Sequence, residues 1–272
     1  MKKGDRVANE YPQVMTIAGS DCDGSAGMQA DMNTFLARKA YGISVMTAAV
    51  AGNSYGIQAS ESFSPEFIGQ QFAAIADDFQ VRASKTGMMA DTPTIEAVAQ
   101  NYKKYDFGPL VVDPVIITKH GAMLLEESAY QTLCDQLIPL ATVLTPNFYE
   151  AQKLSGLTLT TEADIEKAAE KLQALGAKNV IVKGKHTGDQ ATVRDFVLLE
   201  DGKNFWLEED YVPTDRVNGT GDTLSACIAA EIAKGESIEQ AIRIAKRFTH
   251  RAIANEIAVG HKFGPINHWV EL

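Results

Sequence analysis

The chain is predicted to fold as one α/β domain, residues 1–272, built on a parallel sheet. Three observations predict this. Short apolar runs alternate with segments of helical periodicity along the whole length. Several of those runs end in glycine or polar motifs, and in open parallel sheets ligands bind beyond the carboxyl ends of the strands. The composition, 45% hydrophobic and 22% charged over 272 residues, suits a compact fold with a sizeable core.

The elements follow in order. Val14-Met15-Thr16-Ile17-Ala18 reads as a strand that ends in a loop of small and polar residues, 19–27. A helix over 28–39 carries Met28, Met32, Phe35 and Leu36 on one face. Residues 43–50 form a second strand and 52–56 a turn. A helix over 65–78 starts with proline, which suits a first turn. A short strand over 82–85, a helix over 92–105 and the core strand 110–112 lead to Asp113-Pro114. A helix over 126–137 and a strand over 141–144 lead to Thr145-Pro146-Asn147-Phe148-Tyr149-Glu150. Next come a helix over 163–175 closed by Gly176, a strand over 180–182, and a hairpin of 196–199 with 205–207. A helix from about 220 to Lys234 and a last helix over 238–255 complete the chain.

Bulk properties exclude several function classes. The net charge is −10 and the isoelectric point about 5.0, which argues against non-specific nucleic-acid or anionic-membrane binding. Three cysteines without a C-x-x-C motif point to the reducing cytoplasm, and no apolar run approaches transmembrane length. The basic N-terminus lacks the apolar stretch of a signal peptide.

The most informative stretch is Arg216-Val217-Asn218-Gly219-Thr220-Gly221-Asp222, immediately before an amphipathic run. Gly219 and Gly221 let the backbone approach a ligand closely, and the first amides of the helix favour an anion. Asp222 is poorly suited to holding phosphate but well suited to taking a proton from a hydroxyl that attacks one. Together they point to phosphoryl transfer, with Gly219, Thr220 and Gly221 as cradle. An aspartate at a helix start is also a common cap, and this stretch alone leaves both readings open.

Other strand ends supply the rest of a kinase site. Lys183, beside Gly184, is a candidate phosphate contact or an ordinary surface lysine. Asn147 and Glu150 suit a hydrated Mg²⁺ and serve equally well as helix-start caps. Asp113, before a proline, tunes the metal or caps a loop. The loop after the first strand is not a Walker A, since no Gly-Lys-Ser/Thr closes it.

Taken together these motifs resemble the ribokinase-like fold, and within it the vitamin kinases that act on hydroxymethylpyrimidine (phosphate) or pyridoxal. The resemblance runs from Thr16 to His268. It is carried by Thr16-Ile17-Ala18-Gly19-Ser20-Asp21, Ala26-Gly27-Met28-Gln29-Ala30-Asp31 and Lys85-Thr86-Gly87-Met88. Val112-Asp113-Pro114-Val115, Thr145-Pro146-Asn147, Val182-Lys183-Gly184 with His186, and Gly219-Thr220-Gly221 continue it, as does the tail 260–268. It implies a three-layer αβα sandwich, ATP and Mg²⁺ as cofactors, and a homodimer. It implies Asp222 as base, and Lys183, Gly184 and His186 at the nucleotide phosphates. It also implies Asp113, Asn147 and Glu150 at Mg²⁺, with adenine between Val217 and the last helix at Ala245 and Phe248. It further implies that Gly19, Asp31, Gly52, Met88 and Val115 line the pocket for a heteroaromatic alcohol.

Two departures bear on the substrate. The pyrimidine kinases typically carry cysteine where this chain has Asp222, and a glutamine where it has Gly52. Loss of an amide facing an aminopyrimidine weakens selection for that ring. The expectation is therefore a pyridoxal kinase, with hydroxymethylpyrimidine (phosphate) kinase as the alternative.

Overall fold

The structure is a computed structural model and describes residues 10–117, 123–185 and 190–272. The chain runs β1 (Gln13–Asp21), α1 (Gly27–Ala37), β2 (Tyr41–Asn53), β3 (Gly56–Ser62), α2 (Pro65–Asp78), β4 (Val81–Thr86), α3 (Thr92–Lys104) and β5 (Leu110–Val112). It continues with α4 (Tyr130–Thr132), β6 (Val143–Leu144), α5 (Phe148–Ser155), α6 (Glu162–Ala174) and β7 (Asn179–Val182). β8 (Thr192–Leu198), β9 (Asn204–Asp210), α7 (Thr220–Ala233) and α8 (Ile238–Ala254) follow.

All the strands join one sheet in the order β3-β2-β1-β4-β5-β6-β7-β8-β9. The pairs from β2 across to β7 are parallel. β3 at one edge and β8 and β9 at the other are antiparallel. From β1 the chain first builds outward to β2 and then returns to place β4 on the opposite side. In open sheets ligands bind beyond the carboxyl ends of the strands at such a reversal.

Alternation along the strands produces two apolar faces. Met15, Ile17, Leu110, Val112, Leu144 and Val180 belong to one core, covered by α2, α3, α5 and α6. Val14, Ala83, Val111, Val143 and Ile181 belong to the other, covered by α1, α7 and α8. The result is the expected three-layer α/β architecture. Helix starts are chemically marked: Ser64 caps α2 and Asp91 caps α3, each followed by a proline in the first turn. Thr161 and Asp164 form a capping box on α6.

Two elements differ from expectation. The predicted turn over 52–56 is the tip of a hairpin: β2 extends to Asn53, Ser54 and Tyr55 turn the chain, and β3 pairs back from Gly56 to Ser62. Every residue of β3 is exposed, so it carries no inward/outward alternation for a sequence to display. The helix predicted over 126–137 is instead a run of tight, regular and wide turns over 127–140. Pro139 has no amide to extend a regular ladder, and the wide turn brings Leu133, Cys134, Leu137 and Ile138 together into the core.

Candidate active site

The site grows out of one of those two faces. On four parallel strands an apolar residue of the core beneath α1, α7 and α8 is followed two positions later by a polar one. The pairs are Val14 and Thr16, Ala83 and Lys85, Val111 and Asp113, and Ile181 and Lys183. A spacing of two keeps each polar group on the same face, nearer the carboxyl end. α7 lies across β1, β4 and β5, so its amino terminus meets these groups.

That terminus is shaped by Gly219, whose φ of +78° belongs to the left-handed region that glycine enters freely. A Cβ there collides with the Ser25 carbonyl, because the loop before α1 lies directly against it. Thr220 turns its hydroxyl back to the Val217 carbonyl at 2.7 Å. Gly221 faces the strand ends: a Cβ on it approaches Asp113 Oδ2 to 3.3 Å and Lys183 Nζ to 3.4 Å. The Gly-Thr-Gly cradle and Lys183 therefore share one small space. Lys183 is no free surface lysine, since its ammonium lies 3.7 Å from Asp113.

Asp222 occupies the first turn of α7. The helix is capped by Gly219, without a side-chain hydrogen bond, so the capping reading of Asp222 is not the one realised. Its carboxylate lies 3.5 Å from Lys85 Nζ. Lys85 is fully buried and also donates to both oxygens of Asp31, at 2.8 and 3.1 Å. The Thr16 hydroxyl donates to the same carboxylate at 2.6 Å. Burial pushes the Asp31 carboxyl up to about 7, against the opposing pull of Lys85. Asp31, expected to line the substrate pocket, is wholly enclosed in this structure and its oxygens are engaged by Lys85 and Thr16.

Asn147 and Glu150 form a capping box on α5. Asn147 Oδ1 accepts from the amides of Tyr149 and Glu150, and Glu150 Oε2 accepts from the Asn147 amide at 2.8 Å. Glu150 Oε1 accepts from the Ile116 amide, which ties α5 to the segment after Asp113. Burial first, then repulsion from Asp113, pushes Glu150 up to about 7; burial also raises Asp113. Two buried carboxylates that repel each other, with lone pairs to spare, fit a hard divalent cation that keeps most of its water. No cluster of three or more metal-binding side chains exists among the described residues.

Among the residues expected at the nucleotide, the Gly184 amide donates to Asp195 Oδ1 at 3.0 Å, and Lys246 holds Oδ2 at 2.7 Å. A Cβ on Gly184 collides with the Arg194 carbonyl. His186 lies outside the described residues. Val217, expected beside the adenine, is half-buried just before the cradle. Ala245 and Phe248, expected at the adenine, are fully buried in the core that α8 shares with α7, with the Arg38 guanidinium 5.3 Å over the Phe248 ring.

On the substrate side, Gly19 and Met88 are neighbours: a Cβ on Gly19 comes to 3.0 Å from Met88 Cε. The Met88 carbonyl accepts from Thr47 at 2.8 Å. Gly52 sits at the irregular step of the β2–β3 ladder, with its amide and carbonyl each 3.3 Å from the Cys22 sulfur. Val115 has a φ of +46°, a strained conformation for a branched side chain, two residues beyond Asp113.

Lys85, Thr16 and His268 enter the sequence reading only as parts of motifs, without partners. A lysine inside a buried strand signals a buried carboxylate partner, and that signal was present. His268, whose Nε2 lies 2.8 Å from Thr223 Oγ1, gives no such signal because 45 residues separate the pair.

The chain as a whole is similar to known proteins. The curated hydroxymethylpyrimidine/phosphomethylpyrimidine kinase of Haemophilus influenzae is 43% identical over 259 residues, 94% of this chain and 96% of that protein. Among solved structures, an ADP complex of Bacillus subtilis pyridoxal kinase superposes with a TM-score of 0.87 at 37% identity, covering 95% of this chain and 98% of that one. Staphylococcus aureus pyridoxal kinase, in complex with AMP-PCP and pyridoxal, superposes with a TM-score of 0.86 at 31% identity, covering 96% and 94%. Both likenesses agree with the ribokinase-like fold expected from the motifs. A family model described as phosphomethylpyrimidine kinase matches residues 21–267, a span that takes in both the Asp31–Lys85 pair and the Gly219–Asp222 turn, and the chain belongs to that family.

Proposed function

We propose that this protein, acting as a single domain, transfers the γ-phosphoryl group of ATP to the hydroxymethyl group of a flat nitrogen heterocycle. Hydroxymethylpyrimidine and its phosphate are the first choice of acceptor. The observation that carries the reading is the placement of Asp222, held beside Lys85 at the mouth of the Gly219–Gly221 turn, with Lys183 on the other side. The 43% identity to a hydroxymethylpyrimidine/phosphomethylpyrimidine kinase supports the pyrimidine as acceptor. This reverses the order of preference read from the sequence. Gly52 also has a backbone reason to be glycine, since a Cβ there meets the Gly56 carbonyl at 3.2 Å. Its lack of an amide is then weak testimony for a pyridine.

In this mechanism Asp222 accepts the proton of the hydroxymethyl oxygen as that oxygen attacks. First-turn amides of α7 and the Lys183 ammonium hold the negative charge on the transferring group. Lys183 is kept in place by Asp113, and Gly221 leaves room for the phosphate where any side chain intrudes. Asp113 and Glu150 would hold Mg²⁺ through water, with Asn147 fixing the start of α5 beneath them. The ion supplies charge neutralisation for the polyphosphate. Gly19, Gly52, Met88 and Val115 form the walls against which the ring lies.

Pyridoxal is the second reading, favoured by the two solved pyridoxal kinases to which the chain is similar. A cytoplasmic homodimer completes the proposal; no helix among the described residues is long and apolar enough to cross a membrane. Steady-state kinetics with Mg²⁺-ATP and each acceptor separate the two. The expected result is a kcat/KM for hydroxymethylpyrimidine at least tenfold above that for pyridoxal. A preference for pyridoxal of the same size overturns the first choice and leaves the kinase reading intact.

A further inference from the structure

We infer that Lys85 is a positioning residue of the phosphoryl-transfer site, acting through Asp222, and that Asp31 holds Lys85 in place for that task. The inference rests on Asp222 being the base. Lys85 projects from β4 into a fully enclosed space between β1, α1 and α7. Removing an ammonium from water completely is costly, and Asp31 alone already neutralises it with two hydrogen bonds. Structural neutrality is thus complete without Asp222. Yet Asp222 Oδ1, on a side chain one-fifth exposed and able to turn to solvent, lies 3.5 Å from the same ammonium.

The geometry has two consequences. With Oδ1 directed to Lys85, the second oxygen is left for the acceptor hydroxyl. The ammonium also draws the Asp222 carboxylate inward, among the charges packed around it. Those charges are Asp31 on α1 and Asp113 at the end of β5, with Glu150 on α5 behind Asp113. Lys183 after β7 counters Asp113, and His268 from the tail approaches through Thr223. Asp31 competes with Asp222 for Lys85, and the Thr16 hydroxyl, by holding Asp31 at 2.6 Å, fixes how that competition is divided. Gly87 keeps the space beside the ammonium open, since a Cβ there comes to 3.4 Å from Lys85 Nζ.

The test uses three variants of the full chain, assayed by steady-state kinetics, with nucleotide binding and folded fraction measured in parallel. Lys85→Met removes the ammonium that holds Asp222 Oδ1, so kcat falls at least thirtyfold while acceptor KM and nucleotide Kd change less than threefold. Lys85→Met/Asp31→Asn leaves no unpaired buried charge and keeps the test informative if Lys85→Met does not fold; its kcat falls by a similar factor. Asp31→Asn leaves the ammonium beside Asp222 and loses less kcat than either. A loss confined to kcat in fully folded protein is not produced by a role in stability alone. A kcat within threefold of wild type in every Lys85 variant that folds, or kcat losses that follow the folded fraction, overturns the inference while leaving Asp222 as base. Full turnover by Asp222→Asn in the same assays overturns both.

Discussion

In the proposed mechanism Asp222 accepts a proton, yet it stands near other carboxylates and beside the place assigned to phosphate. Fixed cations stand at short range, Lys85 behind Asp222 and Lys183 on Asp113. His268 adds no charge to that balance at neutral pH, since burial lowers it to about 4. The same shift has a stability consequence of known sign. The unfolded chain binds the His268 proton near pH 6.5 and the folded one near 4, so the stabilisation is complete above 6.5 and is lost as pH falls towards 4. His268→Gln is therefore expected to gain about 2 kcal/mol on the wild type between pH 7 and pH 4.5 in urea unfolding. A difference that stays constant with pH argues that the imidazole is freely protonated in the folded protein. At this scale the sequence disclosed Asp222, Lys183, Asp113 and Glu150 by their positions after strands or at a helix start. It concealed the allocation of their partners, because Asp31 and Lys85, or Thr223 and His268, meet only through the fold.

Among the elements, the start of α7 is where local and tertiary demands coincide. Gly219 is in the left-handed region and in contact with the Ser25 carbonyl, so two separate constraints require glycine. Gly219→Ala is expected to cost about 2 kcal/mol or more and to lower kcat together with nucleotide affinity, because the turn must move to accept a Cβ. Chemical denaturation and nucleotide titration check both; a variant of wild-type stability contradicts the contact with Ser25. The Asn218 amide donates to the Gly264 carbonyl, and the Asn218 carbonyl accepts from Ile266, so the tail braces the same turn. Ser54 at the β2–β3 tip accepts from Phe263 and His261, which joins the substrate-side hairpin to that brace. The sequence marked the turn clearly through its glycines. It did not mark the hairpin, whose second strand is exposed throughout. Asn147 and Glu150 were legible both as caps and as metal neighbours, and the capping role is realised in full while the carboxylate pair with Asp113 keeps the second open.

For the whole molecule, the sheet order and the two apolar faces explain why groups from distant parts of the chain converge. Apolar-x-polar pairs on β1, β4, β5 and β7 send their polar members to the same side, where the amino end of α7 closes over them. The α/β class and most elements were legible because alternation and helical periodicity are local signals. The nine-strand order and the burial of Phe248 were not, because both depend on which helix covers which face. The central claim is that this convergence makes Asp222 the base of a kinase. Rapid-quench measurement of phosphoryl transfer, with nucleotide affinity determined on the same preparations, tests it most directly. Asp222→Asn is expected to slow transfer by about 10²–10⁴-fold while nucleotide Kd stays within a few-fold of wild type. Transfer at the wild-type rate in Asp222→Asn would contradict the account.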